Sequence, residues 1–408
     1  MNTVGKQKIL KQINRKRILN LLRDVDELPV SELAAKANLS KPTIMKIMKY
    51  YIDKGLVVIS GKGSSTEEGG KKPNIFKFNA NGGYAVGMII TANKLKAAIT
   101  NLKGEVASSI SMDLENNENL ESVVGKISKA YERLINNINI NGANVFGMAM
   151  GIYGLTDYDK GIVFFSPHYP SWGSNIKMRE KIRKVIPDNI PIILDNISRF
   201  QVFGERALGA GRNLSNVVSI MAGYGLGSGV IIEGNIKRGH HKIMGEVGHM
   251  VINPYEEMLC ACGSKGCFEV MVSIDRLKKI IELNKASYPN SEIFNSNPDN
   301  IDIKSIEPDR IFKSYRNRDK LARLAFDDVI NWFAIGLSNI ILIYDPQLII
   351  IHGIYTKAGD EFLKKLRKKV EQIALTSVKK ETKIKYSELG EMSGVLGAAT
   401  YVINEFFD

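Results

Sequence analysis

The sequence is poor in the residues that most often mark a chemical site. Its 408 residues include only 3 cysteines, 5 histidines and 2 tryptophans. The cysteine count is odd, and Met1 to Lys8 lack the apolar core of a signal peptide. This pattern argues against a disulfide-stabilised secreted scaffold, so we expect a cytoplasmic protein with reduced cysteines.

Long apolar runs are also absent. The most apolar stretch, Ile335 to Ile351, is interrupted by Tyr344-Asp345-Pro346 and is too short on either side to span a bilayer. Hydrophobic residues make up 44% of the chain and charged residues 24%, which is typical of a globular protein. The length predicts two or three domains, and we expect no association with a membrane.

Acidic residues are outnumbered more than two to one by basic residues at the N-terminal end of the chain. Residues 1–80 contain 16 Lys/Arg and 7 Asp/Glu, a net charge of +9, whereas the whole chain carries +13, so the other residues carry +4. A basic segment joined to a nearly neutral remainder indicates a polyanion partner at the N-terminus. A basic face that serves only solubility is the alternative.

The same basic segment has the pattern of a helix-turn-helix. Apolar residues from Ile13 to Leu22 recur at helical spacing, and Ser31 to Ala37 is predicted to be a short helix with Ser31 as its N-cap. After a tight turn, Ser40 is expected to cap a longer helix over Lys41 to Lys54. Pro42 lies in the first turn of that helix, where a missing N–H costs nothing.

Two predicted strands, Leu56–Ser60 and Asn74–Phe78, surround a polar loop and complete a winged helix-turn-helix. In such domains the second helix enters the major groove, while lysines bind phosphates and anchor the domain on the duplex. A small helical domain without a role on DNA is the alternative. The residues that we expect to contact double-stranded DNA are Ser40, Lys41, Pro42, Thr43, Lys46, Lys49, Lys71 and Lys72.

All three cysteines lie in one short stretch behind a histidine. His249, Cys260, Cys262 and Cys267 offer one imidazole and three thiolates, which complete a tetrahedral zinc site of the closed, structural type. Gly263 and Gly266 allow the backbone to turn tightly between the ligands. Three incidental or buried cysteines are the alternative interpretation.

The sequence around these ligands resembles the signature of a known family. A Gly-His pair, a spacer and Cys-x-Cys-Gly-x-x-Gly-Cys-x-Glu are similar to the motif of the ROK family, which includes sugar kinases and the xylose and N-acetylglucosamine repressors. The resemblance implies a two-lobed α/β domain with the actin-like ATPase (ribonuclease H-like) fold. We expect the winged domain over 1–80, a first lobe over 81–200 completed by a C-terminal helix over 390–408, and a second lobe with the zinc motif over 201–389.

The resemblance also implies a sugar site. Asn196, Glu246, His249 and Glu269 fall where the family places its ligands for sugar hydroxyls. Carboxylates, an amide and an imidazole suit this role because they form directional hydrogen bonds with neighbouring hydroxyls. His249 would then serve zinc and sugar through its two ring nitrogens.

Positions that ROK kinases use for phosphoryl transfer hold other residues here. The family's general base corresponds to Ile197, and an alkyl side chain cannot accept a proton. Ile89 and Tyr224 likewise replace residues of the two phosphate motifs. The neighbouring carboxylate, Asp195, is expected to point the other way at the end of its strand. We therefore expect no enzymatic activity.

Taken with the resemblance, the residues predict a sugar-responsive transcriptional regulator of carbohydrate metabolism, with repression as the expected sign. Two-fold symmetric readers match palindromic operators, so a homodimer or a tetramer is expected. A ROK sugar kinase with an added DNA-binding domain is the main alternative. An interaction protein controlled by a transporter or a phosphotransfer component is a third possibility.

Overall fold

A computed structural model describes residues 3–63, 73–138, 144–294, 302–374 and 381–407. The chain divides into two compact units. The first comprises Met1–Ile152, Tyr158–Leu194 and Ala398–Asp408, and the second comprises Tyr153–Asp157 and Asp195–Gly397. The predicted domain boundaries at 80/81, 200/201 and 389/390 remain predictions.

The first unit begins with the predicted winged helix-turn-helix, which the structure confirms. Three helices pack on a small antiparallel sheet of order β1-β3-β2, and the aliphatic side chains of all three helices form its core. The sequence analysis missed the short first strand. The elements are α1 (Thr3–Val25), β1 (Glu27–Pro29), α2 (Val30–Ala37), α3 (Lys41–Asp53), β2 (Val57–Lys62) and β3 (Asn74–Phe78).

Two details of this domain differ from the prediction. Helix α2 begins at Val30, and the residue at its N-cap is Pro29, which makes no side-chain cap hydrogen bond, so Ser31 is not the cap. The reason is that Pro29 is still paired in the sheet and Val30 already packs in the core. Ile13 is 53% exposed, because α1 extends beyond the part of the domain that its apolar face covers.

The rest of the first unit is an α/β layer. Its five-stranded sheet has the order β10-β7-β4-β5-β6, with β4 antiparallel to β5 and parallel to β7. The amphipathic helix α4 packs its buried face on this sheet. The elements in this part of the chain, of which β8 belongs to the second unit, are β4 (Tyr84–Ile90), β5 (Lys94–Asn101), β6 (Val106–Asp113), α4 (Leu120–Asn137), β7 (Val145–Ile152), β8 (Leu155–Asp157), β9 (Ile162–Phe165), α5 (Met178–Arg183) and β10 (Ile192–Asn196).

The second unit repeats this topology. Its sheet has the order β13-β12-β11-β14-β15, with β11 antiparallel to β12 and parallel to β14. A three-strand antiparallel meander followed by parallel strands therefore occurs in both units, as expected for an actin-like fold. The elements are α6 (Ile197–Leu208), β11 (Val217–Ala222), β12 (Leu226–Ile232), β13 (Asn235–Ile236), α7 (Phe268–Met271), α8 (Ile274–Asn284), α9 (Pro308–Arg316), α10 (Lys320–Tyr344), β14 (Leu348–Gly353), α11 (Gly359–Ile373), β15 (Lys383–Tyr386) and α12 (Ser393–Phe407).

Helix α10 forms the centre of the second core. Among the described residues it is the one helix whose length and composition would allow it to cross a membrane. Its apolar side chains, however, pack against α8, α11 and the sheet, as in the core helix of a globular domain. The apolar character of this stretch is thus explained by packing.

Helix α6 is held against the start of α12 by two glycines. A Cβ atom on Gly204 would overlap the carbonyl of Ser393, and one on Gly397 would overlap the carbonyl of Phe200. The two backbones therefore approach more closely than side chains would allow. This contact fixes α6, whose N-cap residue is Asn196.

The winged domain packs within the first unit on the end of α12. The Phe407 ring is 2% exposed and lies 6.1 Å from the ring of Phe78, centroid to centroid. The guanidinium of Arg23 lies 4.8 Å from the same phenylalanine ring. An ion pair between Asp26 and Lys103 at 2.5 Å adds a polar contact.

Candidate functional sites

Helix α3 presents a basic surface whose geometry follows from its capping. Ser40 is extended, and its hydroxyl accepts a hydrogen bond from the Thr43 amide at 3.4 Å, so the predicted cap is confirmed. Ile44, Ile47, Met48 and Tyr51 are buried, as predicted. The opposite face exposes Lys41, Pro42, Lys46 and Lys49, with Thr43 half-buried.

These lysines are free to meet an external anion. Lys41, Lys46 and Lys49 form no ion pair within the described parts of the chain. Strands β2 and β3 pair antiparallel up to Lys62 and Asn74 and so form the base of a wing. The two wing lysines, Lys71 and Lys72, lie outside the described residues.

The four predicted zinc ligands converge in the second unit. The ligand atoms of His249, Cys260, Cys262 and Cys267 all lie within 4.8 Å of one another. Cys260 Sγ is 3.6 Å from His249 Nδ1, and the Sγ atoms of Cys262 and Cys267 are 3.6 Å apart. Tetrahedral zinc with Zn–S bonds of about 2.3 Å separates its sulfur ligands by roughly 3.8 Å. The residues therefore fit a zinc ion.

Tight turns of the backbone bring these ligands together. The Cys260 amide donates to the Ser264 carbonyl at 2.8 Å, and Gly263 follows with φ +90°. Gly266 has φ +69°, and a Cβ atom there would overlap the carbonyl of Asn253. Glycine is required at this position for both conformation and space.

The thiols have unequal acidity. Burial raises the pKa of Cys260 and of Cys267, whereas the Ser264 backbone amide lowers the pKa of Cys262 to about 7. Two of the three sulfurs therefore remain protonated at neutral pH unless a cation takes the place of the protons. Metal binding supplies that cation and releases the protons.

Two of the predicted sugar ligands, His249 and Glu269, lie at the group formed by Cys260, Cys262 and Cys267, here called the cysteine cluster. The Cys260 thiol lies 3.5 Å from Glu269 Oε1, and Glu269 Oε2 accepts a hydrogen bond from the Leu226 amide at 2.7 Å. His249 is in contact with the same thiol. Any ligand that engages His249 and Glu269 would thus bind directly beside the cysteine cluster.

The other two sugar ligands lie at the start of α6 and at the end of a loop. Asn196 caps α6, because its side-chain oxygen accepts from the Ser198 amide at 2.8 Å while its NH₂ donates to the Gly154 carbonyl at 2.8 Å. Burial raises the pKa of Glu246, and the charges of His249 and Arg199 oppose that rise. The Glu246 carboxylate makes no hydrogen bond within the described residues.

The candidate carboxylate beside Asn196 is fully engaged. Asp195 is buried and accepts hydrogen bonds from Arg199 Nη1 at 2.6 Å and from Arg238 Nε at 2.8 Å. Thr156 Oγ1 also lies 3.2 Å from it. Both oxygens of this carboxylate are therefore held by arginine donors. The sequence analysis did not assign these partners, although the i,i+4 spacing of Asp195 and Arg199 was a usable signal.

The structure also describes the three positions that we expect to differ from ROK kinases. Ile197 is buried in the first turn of α6, and Ile89 is buried in β4. Tyr224 lies in the turn between β11 and β12 and is 66% exposed. None of these three side chains offers a carboxylate.

Comparison with known proteins covers both parts of the chain. A model of a winged helix-turn-helix DNA-binding domain matches residues 11–58, and the ROK family model matches residues 85–405. The xylose repressor of Caldicellulosiruptor bescii is 27% identical over 403 residues, which cover 98% of both chains. The xylose repressor of Bacillus subtilis is 25% identical over 410 residues, covering 99% of this chain and 98% of the repressor. The glucokinase of Thermotoga maritima is 26% identical over 319 residues, covering 78% of this chain and 96% of the kinase.

Solved structures show the same fold. A ROK family transcriptional regulator, a homolog of the E. coli MLC protein, matches with a TM-score of 0.81 at 21% identity, over 98% of this chain and 97% of its own. A ROK family glucokinase from Streptomyces griseus, in complex with glucose and AMPPNP, matches with a TM-score of 0.66 at 24% identity, over 78% of this chain and 99% of its own. The family match spans most of the chain and includes every predicted metal and sugar ligand. This protein therefore belongs to the ROK family.

Proposed function

We propose that this protein is a sugar-responsive, DNA-binding transcriptional regulator of carbohydrate metabolism, with repression as its expected sign. The observation that carries the proposal is the joining of a winged helix-turn-helix with free basic residues to a ROK domain in one chain. Its match to the xylose repressors includes the DNA-binding part, whereas its match to the glucokinases leaves about a fifth of the chain uncovered.

On DNA, α3 would lie in the major groove with its N-terminal residues at the base edges. Ser40, Lys41, Pro42 and Thr43 form that end of the helix, and Lys46 and Lys49 follow on the exposed face. Wing lysines Lys71 and Lys72 would add phosphate contacts. Two such heads on a palindromic operator imply a homodimer, or a tetramer built from two dimers.

The effector would be a neutral sugar bound by Asn196, Glu246, His249 and Glu269. Support comes from the common location of His249 and Glu269 at the Cys260 thiol and from the unpartnered carboxylate of Glu246. Zinc held by His249 and the three cysteines would fix the loop that carries two of these ligands. In this role the metal is structural, since four protein ligands leave no open position.

The proposal excludes phosphorylation of the sugar by this chain. The side chain at the base position is the alkyl group of Ile197, and the nearby Asp195 is bound by two arginines. The similarity to glucokinases favours a kinase as the second candidate. An ATP-consumption assay with D-xylose, D-glucose and N-acetyl-D-glucosamine separates the two, because turnover above background would support the kinase.

The primary test measures DNA affinity with and without sugar. Labelled DNA from the promoter region of the protein's own gene is titrated with the protein at fixed salt, in the presence of each sugar. A coupling free energy typical of allosteric proteins would change the dissociation constant by about 5- to 150-fold. Specific binding that no sugar alters would refute the effector role and leave the DNA-binding role standing.

A further inference from the structure

A buried charge cluster lies directly behind the candidate sugar site. The side chains of Asp195 and Arg199 are 0% and 3% exposed, and that of Arg238 is 16% exposed. Both carboxylate oxygens of Asp195 are used, one by Arg199 and one by Arg238. Charges are costly to bury, and their mutual hydrogen bonds offset that cost only when the geometry is good. The cluster therefore constrains the positions of its three members.

The cluster also holds the loop that leads to Glu246. Arg199 donates through Nη2 to the Lys242 carbonyl at 2.5 Å, while Arg238 begins the loop and is itself bound to Asp195. The Met244 amide closes the loop by donating to the Arg238 carbonyl at 3.1 Å. One carboxylate thus fixes the loop at its start and, through Arg199, near its middle.

The end of the loop has its own anchor. The Ser228 hydroxyl donates to the Gly245 carbonyl at 2.6 Å, and the Glu246 amide donates to the Ile243 carbonyl at 3.1 Å. Gly245 has φ +101°, and a Cβ atom there would lie 2.8 Å from the Ser228 carbonyl. Glu246 therefore follows a backbone that is held on both sides.

The same carboxylate is adjacent in sequence to another candidate ligand. Asp195 precedes Asn196, and the Asn196 amide donates to Asp195 Oδ1 at 2.8 Å. The cluster consequently connects the residue that begins α6 to the loop that carries Glu246. These two ligands come from segments about fifty residues apart, and the side chains of Asp195 and Arg199 each bond to both segments.

We infer that Asp195 and Arg238 are positioning residues of the sugar site, which set the placement of Glu246 relative to Asn196. The inference rests on the proposed function, because it assigns the sugar to these two ligands. In this interpretation Asp195, which lies two residues before Ile197, orders the binding site and takes no part in a reaction. In metal sites, loss of a contact that supports a ligand typically weakens metal binding by about 10- to 100-fold, and we expect an effect of this size on sugar binding.

The variant that tests this is Arg238→Ala. Arg238 is the most exposed member of the cluster, and its removal leaves Asp195 paired with Arg199. We expect the dissociation constant for the responsive sugar, among D-xylose, D-glucose and N-acetyl-D-glucosamine, to rise about 10-fold or more. Zinc content and sugar-free operator affinity should remain those of the wild type.

Two further variants separate positioning from general stability. The control, Arg206→Ala, removes a guanidinium of α6 that lies away from the cluster and donates through Nε to the Leu214 carbonyl at 3.1 Å. This variant should leave sugar affinity unchanged. Arg238→Lys keeps the charge but not the planar fork, so its affinity should be intermediate. Hydrogen exchange of residues 239–246 in sugar-free protein should accelerate in Arg238→Ala and not in Arg206→Ala.

These experiments distinguish failure of this inference from failure of the proposed function. If the wild type binds the operator and none of the sugars, the proposed effector role fails and this inference fails with it. If the wild type binds a sugar and both Arg238 variants bind it equally well, the inference alone is overturned. Equal losses of affinity in Arg238→Ala and Arg206→Ala would also overturn it, because the effect would then be one of stability.

Discussion

The charged residues of the winged domain and those of the candidate sugar site are arranged in opposite ways. Lys41, Lys46 and Lys49 are exposed and have no ion-pair partner within the described residues, whereas Asp195 and Arg199 are buried, Arg238 is half-buried, and the carboxylate bonds to both arginines. Exposed lysines gain most when a polyanion arrives and releases its counterions. Buried, paired charges cannot respond in this way and serve to hold geometry. The difference indicates which charges meet a partner and which order a site.

The largest expected effect comes from removing a predicted zinc ligand that is buried in the second unit. Cys267→Ser replaces a fully buried thiol of the cysteine cluster. Structural zinc contributes about 10–16 kcal/mol in small zinc domains, so we expect the loss of zinc and of several kcal/mol of stability in the second unit. Metal content by atomic absorption and chemical denaturation measure the two effects.

The matched control is Ala261→Ser, which introduces the same side chain at an exposed position in the same loop. It should retain the metal and the wild-type stability. Wild-type metal content in Cys267→Ser would remove the basis for a zinc site.

The next prediction concerns what holds the winged domain in the first unit. Phe407→Ala deletes a buried ring that contacts Arg23 and Phe78, and large-to-small substitutions of buried phenylalanine cost about 3–5 kcal/mol. Phe406→Ala, at a ring that is 40% exposed, should cost clearly less. Urea denaturation followed by circular dichroism compares the two. Equal stabilities would mean that the buried ring of Phe407 has no particular role in holding the domain.

Sequence reasoning predicted features that depend on short segments. The cap at Ser40, the helix that follows it and the zinc ligands from Cys260 to Cys267 all depend on residues within a few positions of one another. Spacing along the chain encodes such features directly. The family resemblance, in turn, supplied the two-lobed fold.

Features that join distant segments were missed for a physical reason. Strand β1 has only three residues and exists because Leu28 pairs with Phe76. Arg238 is likewise 43 residues from Asp195 in sequence, and no local pattern connects the two. Pairings of this kind are decided by tertiary packing, which overrides local preference.

Glu246 is the informative exception among the charges of the candidate sugar site. Its side chain is half-buried yet makes no hydrogen bond within the described residues, which suits a group that awaits a ligand. Hydrogen bonds to charged groups contribute about 1.5–3 kcal/mol, so Glu246→Ala should weaken sugar binding roughly 10- to 100-fold. Isothermal titration with the responsive sugar measures this, and the operator affinity without sugar should not change.

Glu257→Ala provides the comparison for the loss of a carboxylate. Glu257 is exposed in the cysteine-containing loop and pairs with Lys265 at 2.7 Å. Its removal should affect neither sugar affinity nor zinc content. Similar effects of the two variants would contradict a specific role for Glu246.

The smallest expected effect comes from removing one of the exposed lysines of α3. Lys46→Ala removes one unpaired cation from the exposed face of α3, so stability should change by less than about 0.5 kcal/mol. Operator affinity should fall several-fold, and the slope of log K against log salt should decrease by about 1, as for one lost phosphate contact. Lys365→Ala removes the same charge from α11, where it is already paired with Asp327 at 2.7 Å, and should leave DNA binding unchanged. If both variants weakened binding equally, net charge alone would explain the affinity, and the free lysines of α3 would have no particular role.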